Sequence, residues 1–182
     1  NKAVPYVDWW AVLLWLALAA MGWVNIYAAV SDGEGALFDI GRKYGMQMMW
    51  IGVSAVVALV IMLLDSRYWH MWAYPIYAVA VVVLIAVLFV GKEVNGAKAW
   101  ISVGGFAIQP AEFVKFATAL AVARFMSRYA FSITDIFELL KVAGLILLPV
   151  LVILLQNDTG SAIVYGAFLF MLYREGLNGW VY

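Results

Sequence analysis

Long apolar runs recur along this chain, each about as long as a bilayer is thick, and that repetition constrains the fold more than any other feature. A helix that crosses a hydrocarbon core of ~30 Å needs about 20 apolar residues. Trp9 to Val30, Tyr44 to Leu64, Met71 to Val90, Gln109 to Met126 and Leu139 to Leu155 each supply such a run or come close to it. Ser161 to Tyr173 supplies another, long enough to cross only if Thr159 and Gly160 join it. Lipid offers no hydrogen bonds, so each span must satisfy its own backbone, which an α-helix does. The expected fold class is therefore all-α: a polytopic transmembrane helix bundle of about six spans plus the start of a seventh. Composition closes the soluble alternative. The chain is 67% hydrophobic and 12% charged, the latter about half the usual globular share of ~25%.

The polar punctuation between the runs sets the organisation. SDGEGALFDIGRK reads as a loop, DSRYWH as a tight turn, GKEVNGAKAWISVGGFAI as a loop with an amphipathic centre, and SRYAFSITDIFELLK as an amphipathic connector. QNDTG interrupts an apolar run, and YREGLNG precedes the start of a further helix. The first run is too long for a signal-peptide core of roughly 7–15 residues and is expected to be retained. The chain begins at Asn1 and ends at Trp180-Val181-Tyr182, so residues 1–182 read as a portion of a longer membrane domain. With the N-terminus on one side, that side holds Lys2, Arg67, Arg124, Arg128, Lys141 and Arg174. The other holds Arg42, Lys43, Lys92, Lys98 and Lys115, too even a split to fix orientation.

Several chemistries are excluded. Eleven basic residues balance eleven acidic ones, so no net field points to nucleic acid. The absence of cysteine removes disulfides, thiol catalysis and thiolate zinc sites, and the single histidine, His70, provides no imidazole cluster. No glycine-rich phosphate loop or nucleophile elbow occurs. His70 reads as structural, at the interface opposite the polar motifs.

Charges at membrane depth cost about 2.5–3.5 kcal/mol each near a helix centre, so the few present deserve a reason. Glu112 and Lys115 are three apart at the start of the fourth run and share a helix face. They form either an interfacial ion pair or one wall of a polar cavity. QNDTG reads as a helix end and turn, with Asp158 or Thr159 capping the next helix. In the six-span arrangement this turn, Glu112 and Lys115, the 91–108 loop with Lys98 and Trp100, and Arg42 with Lys43 all fall on one membrane face. Such convergence suits an anionic, lipid-linked substrate held at the surface. Trp100 reads most simply as an interfacial anchor.

NGAKAWI, IQPAEFVKFA and QNDTGSA, in that order, resemble the signatures of the SEDS family (shape, elongation, division and sporulation proteins), which take the forms NGAxRWI, FQPSExxK and QPDxGTA. MGWVNIYAA and RKYGMQ look most like the family's RodA branch, the division branch FtsW being the neighbouring alternative. Ala99, Ala111, Asn157 and Ser161 depart from the signatures. The resemblance spans essentially the whole chain and implies the N-terminal portion of one SEDS transmembrane domain of roughly ten helices. It further implies a multi-pass protein of the bacterial inner membrane with a cytoplasmic N-terminus, placing the polar face in the periplasm. The implied activity is peptidoglycan glycosyltransfer: lipid II polymerised onto an undecaprenyl-linked glycan during cell-wall elongation and rod-shape maintenance. The implied partner is a class B penicillin-binding protein.

On this reading Trp100, Gln109, Glu112, Lys115, Asp158, Arg42, Lys43 and Lys98 are candidates for substrate binding or for lining its cavity. No catalytic residue is assigned, because the family's catalytic aspartate lies beyond residue 182, and residues 1–182 alone are expected to be inactive. No cofactor is identifiable, although a divalent cation at the diphosphate suits the chemistry. Two other readings stay open. A precursor flippase or transporter would need a polar path through the whole bilayer, and a non-catalytic scaffold would not need the polar motifs to converge.

Overall fold

The computed structural model describes residues 8–31, 41–94, 96–103, 106–129 and 131–176. The SDGEGALFDIGRK loop and the expected seventh helix fall largely or wholly outside them. The chain divides into two compact units, one up to Asp65 and one from Ser66 onward. In the first, α1 (Trp9–Val30) pairs with α2 (Lys43–Leu63). The Asp8 carboxylate caps α1 by accepting from the Trp10 and Ala11 amides at 3.0 and 3.2 Å. The Trp23 indole donates to the Tyr44 carbonyl at 3.0 Å, and Tyr27 lies between the two rings, stacked on Trp23 and edge-on to Tyr44. Most other side chains of this unit point outward and are apolar, as a lipid-facing surface requires.

The second unit holds α3 (Ser66–Val90), a small sheet of β1 (Lys92–Val94), β2 (Ala97–Val103) and β3 (Phe106–Ile108), then α4 (Pro110–Met126), α5 (Ile136–Leu155), α6 (Thr159–Val164) and α7 (Ala167–Arg174). Its core joins Val81 and Leu84 of α3, Val114, Val122 and Phe125 of α4, Val142, Ile146 and Ile153 of α5, and Tyr165 and Leu172 from the last helical stretch. The buried face of α4 is mostly small: Ala111, Val114, Ala117, Thr118, Ala121 and Val122. Small side chains let helix backbones approach closely, which is how helices associate where lipid is as apolar as leucine.

Two prolines interrupt helices of this unit, and each freed carbonyl has found a donor on a neighbour. Pro75 has no N–H for the carbonyl of Met71, four residues back. The Arg124 guanidinium donates to that carbonyl at 2.9 Å, bonds also to the His70 carbonyl, and lies over the Tyr74 ring. Pro149 likewise frees the carbonyl of Leu145, which accepts from the Tyr77 hydroxyl at 2.8 Å. Prolines survive in membrane helices when nearby side chains take over the lost bond.

Among the described residues, four helices are long and apolar enough to cross a membrane: Trp9–Val30, Lys43–Leu63, Ser66–Val90 and Ile136–Leu155. This corrects the span count. The fourth expected span becomes α4, whose 17 residues extend about 25 Å, short of a ~30 Å core. The sixth becomes α6 and α7. Thr159 and Gly160 do join α6, and the chain tightens at Tyr165 and Gly166, where amides reach back three residues to Ala162 and Ile163. DSRYWH is not a turn throughout, since α3 starts at Ser66, and α5 starts at Ile136 inside the expected connector.

The largest departure from a purely helical expectation is the segment after α3. It forms a three-stranded antiparallel sheet in the order β1-β2-β3. Glu93 pairs with Lys98 but Lys92 with Trp100, so Ala99 is an extra residue on β2, a bulge. Ala99 is buried. Gly96, at φ +83°, takes the left-handed conformation of the first turn. Gly91 joins α3 to the sheet where a Cβ would meet the Val87 carbonyl at 2.5 Å, so only glycine fits.

Candidate substrate-binding site

The site grows from the way α5 ends. The Asn157 amide bonds to the Leu154 carbonyl at 3.0 Å and the Asp158 amide to the Ile153 carbonyl at 3.2 Å. Asn157 sits at φ +58°. This is a Schellman end, with asparagine in the left-handed position usually given to glycine. Asp158 then begins the next helix as its N-cap, its Oδ1 accepting from the Ser161 amide at 3.0 Å. Of the two capping residues that the sequence offers, the structure uses Asp158.

The second oxygen of Asp158 faces α4. Gln109 Nε2 donates to Asp158 Oδ2 at 2.5 Å and to Ser161 Oγ at 3.2 Å. Gln109 is the N-cap of α4, yet its side chain makes no capping bond there, because it reaches the α5–α6 turn instead. Pro110 follows at the first helical position, where its missing N–H costs nothing. Glu112 lies in the first turn, suited to the positive end of the helix. Lys115 Nζ bonds Glu112 Oε1 at 2.7 Å. The Glu112 side chain is 54% exposed and that of Lys115 23%. The pair is therefore at a boundary, with an ammonium group able to donate three bonds.

The sheet is tied to the same place. The Lys98 amide donates to the Gln156 carbonyl at 2.9 Å, joining β2 to the end of α5. The Gln156 amide group, almost wholly buried, donates to the Leu84 carbonyl of α3 at 2.8 Å. Lys98 Nζ bends back to the Phe89 carbonyl at 3.4 Å, a cation at the negative end of α3. Trp100 is half-buried and pairs across the sheet with Lys92. Beside this cluster a shallow groove of about 280 Å³ runs between α3, the sheet and α4. Its walls include Val83, Ile101, Ile108, Pro110 and Phe113 and are almost wholly apolar.

Of the residues expected from sequence, the structure thus brings Gln109, Glu112, Lys115, Asp158 and Lys98 to one end of the second unit, with Trp100 in the same sheet. Arg42 and Lys43 open α2 and belong to the first unit. His70 lies toward the opposite end of α3, its Nε2 3.2 Å from Ser127 Oγ. Ser161 and Gln156 were not singled out from sequence. The signal for Ser161 was present, since an aspartate cap bonds the amide two or three residues on. Nothing in the local sequence shows that Gln156 reaches across to α3.

Comparison with known proteins bears on this arrangement. Residues 8–182 match the FtsW/RodA/SpoVE family, described as "Cell cycle protein". The peptidoglycan glycosyltransferase RodA of Treponema pallidum (strain Nichols) is 34% identical over 176 residues, covering 96% of this chain and 40% of that protein. Stage V sporulation protein E of Bacillus subtilis (strain 168) is 28% identical, covering 91% of this chain and 46% of that one. The crystal structure of the rod shape determining protein RodA of Thermus thermophilus superposes with a TM-score of 0.80 at 31% identity, covering 96% of this chain and 56% of that one. A structure titled for polymerization and crosslinking by a peptidoglycan synthase complex superposes with a TM-score of 0.74 at 30% identity, over 93% and 46%. The chain thus spans about half the length of the relatives it matches.

Proposed function

This chain belongs to the FtsW/RodA/SpoVE family, and from that membership we propose that it supplies the head-group-binding part of a peptidoglycan glycosyltransferase that polymerises lipid II during cell-wall elongation. The observation that carries the reading is the match of nearly the whole chain to a protein named peptidoglycan glycosyltransferase RodA. In the reaction, a sugar hydroxyl of one lipid II attacks the anomeric carbon of a lipid-linked glycan. The carbon–oxygen bond to the diphosphate breaks, undecaprenyl diphosphate leaves, and the hydroxyl proton passes to a base. No residue of this chain is assigned as that base.

Lys115 places its positive charge beside the diphosphate of the bound lipid, which is charged before the bond breaks as well as after, so the contact contributes chiefly to binding. Glu112 holds that ammonium in place through their bond. The apolar groove next to α4 takes part of the prenyl chain. Trp100 and Lys98 border the head group from the sheet. Among the described residues no cluster of three or more His, Cys, Asp or Glu side chains that could hold a metal ion occurs.

In this proposal the protein lies in the bacterial inner membrane with its N-terminus in the cytoplasm and the sheet in the periplasm. The end of the second unit near His70 carries Arg67, Arg124, Arg128, Lys141 and Arg174 against Asp135, Glu138 and Glu175. The sheet end balances Lys92, Lys98 and Lys115 against Glu93, Glu112 and Asp158. Lys and Arg alone number five against three in this unit, in keeping with a cytoplasmic side at the His70 end, and the orientation itself rests on the family resemblance. A class B penicillin-binding protein crosslinks the product, in keeping with the synthase complex that the fold resembles.

The test is direct. The complete gene product, purified and given lipid II, should form glycan chains and release undecaprenyl diphosphate. Lys115→Met should lower kcat/KM about a hundredfold, mainly through a higher KM for lipid II, the scale of losing one charged partner, with membrane abundance unchanged. Movement of lipid II across vesicles without any polymer would establish the transporter reading instead.

A further inference from the structure

Asp158 and Gln109 stand in the candidate site, yet both amide hydrogens of Gln109 and both carboxylate oxygens of Asp158 are bonded to the protein itself. Gln109 Nε2 has two hydrogens, and both have partners: Asp158 Oδ2 at 2.5 Å and Ser161 Oγ at 3.2 Å. Both Asp158 oxygens are engaged, one by Gln109 and one by the Ser161 amide. A substrate that drew on the Gln109 hydrogens would have to undo these bonds. What they join is specific. On one side lies the α5–α6 turn, fixed to β2 through the Gln156 carbonyl and to α3 through the buried Gln156 amide group. On the other lies the start of α4, whose first turns carry Glu112 and Lys115, with the Glu112 amide bonded to the Gln109 carbonyl at 3.1 Å.

We propose that Gln109 and Asp158 are positioning residues: their hydrogen bond locks the first turns of α4 to the α5–α6 turn and so sets where Lys115 presents its ammonium group. The proposal rests on the glycosyltransferase reading for what Lys115 binds, but the coupling between the latch and Lys115 is a property of the fold alone. The bond joins a carboxylate to an amide, and such charge-assisted bonds are the stronger kind. Loosening it frees the helix start in which Lys115 sits, while the buried stripe of α4 from Val114 to Phe125 still holds the rest of the helix.

Four variants of the complete gene product test this. Asp158→Asn keeps an oxygen for the Ser161 amide, and a turned Gln109 amide can accept from the new Nδ2, so turnover should stay within about threefold. Gln109→Glu sets two carboxylates against each other and should raise KM for lipid II about tenfold or more, with abundance and kcat little changed. The double variant Gln109→Glu/Asp158→Asn restores a donor–acceptor pair in reverse and should recover KM. Lys115→Met should weaken substrate binding in every background.

A second readout needs no activity. The rate at which an amine-reactive reagent modifies Lys115, followed by mass spectrometry, should change in Gln109→Glu and return in the double variant. If the wild-type protein fails to polymerise lipid II but Lys115 labelling follows this pattern, the functional reading fails and the latch stands. Two results overturn the latch. One is loss of turnover in Asp158→Asn at unchanged KM and abundance, which would put its carboxylate at the reacting atoms. The other is a Gln109→Glu protein that melts lower but shows the wild-type KM and Lys115 labelling rate.

Discussion

At the sheet end of the second unit, the polar links tie segments together through backbone groups, the buried amide of Gln156 and the half-buried amide of Gln109: Lys98 to Gln156, Gln156 to Leu84, Gln109 to Asp158 and Ser161. At the opposite end the links are made by long, exposed cationic side chains that meet the mostly covered carboxylate of Glu138 at the rim. Arg128 bonds Glu138 and the Phe125 carbonyl and stacks on the Phe125 ring, while Lys141 bonds Glu138 at 2.7 Å. The difference teaches which end holds a geometry and which end meets charge. Exposed ion pairs contribute little, because water and salt compete for both partners. A buried amide that loses its partner is costly, because nothing replaces it.

This contrast can be broken experimentally. The largest effect is expected from Gly91→Ala at the sheet end, where the new methyl would lie 2.5 Å from the Val87 carbonyl and 2.8 Å from Val87 Cγ1. Relieving that overlap should cost about 1–3 kcal/mol, read as a lower melting midpoint in detergent or lipid nanodiscs. A protein that melts like wild type would mean that the junction of α3 and the sheet is looser than its geometry implies.

An intermediate effect is expected from Arg124→Met, which leaves the Met71 carbonyl without its donor. The loss should be about 1–2 kcal/mol. It should shrink when Pro75→Ala is added, because an alanine at 75 restores the helical N–H. Equal losses in the two backgrounds would show that Arg124 acts through its other contacts and not through the proline.

The smallest effect is expected from Glu138→Gln at the same rim. Its melting midpoint should be indistinguishable from that of wild type in moderate salt. A clear loss that disappears at high salt would move this rim toward the sheet end in importance and weaken the contrast.

What sequence reveals here follows the same division. Spans are legible because hydropathy over about 20 residues integrates a strong signal. Their ends are less so. α3 and α5 both begin earlier than the apolar runs, since Arg67, Glu138 and Lys141 dilute the hydropathy of helical turns. Asp135 followed by Glu138 three residues on was a readable start signal for α5. The sheet is hard to read from sequence because strands of three residues, such as Lys92–Val94 and Phe106–Ile108, carry too little alternation to register. The Asn-Gly step at 95–96 and the Gly-Gly step at 104–105 were the local hints of hairpins. Within the candidate site, the Glu112–Lys115 pair and the Asp158 cap follow from spacing. The bond between Gln109 and Asp158 does not, because 49 residues separate them and only the packing of α4 against the α5–α6 turn brings them together.

The two proline repairs differ in the order in which their parts leave the ribosome. Leu145 is the tenth residue of α5, midway along the helix, and the tyrosine that serves it is made 68 residues earlier. When α5 enters the membrane, its donor is already there. Met71 is six residues into α3, and its arginine is made 53 residues later, a delay of several seconds at about 5–20 residues per second. That carbonyl lies near the start of its helix, within reach of interfacial water, so waiting is tolerable. The deep vacancy is filled from behind and the shallow one from ahead, an order compatible with helices released one at a time from the insertion machinery. Photo-crosslinking of chains stalled at successive lengths would test this: α3 should leave the insertion channel before residue 124 is made, whereas Tyr77→Phe should delay the departure of α5.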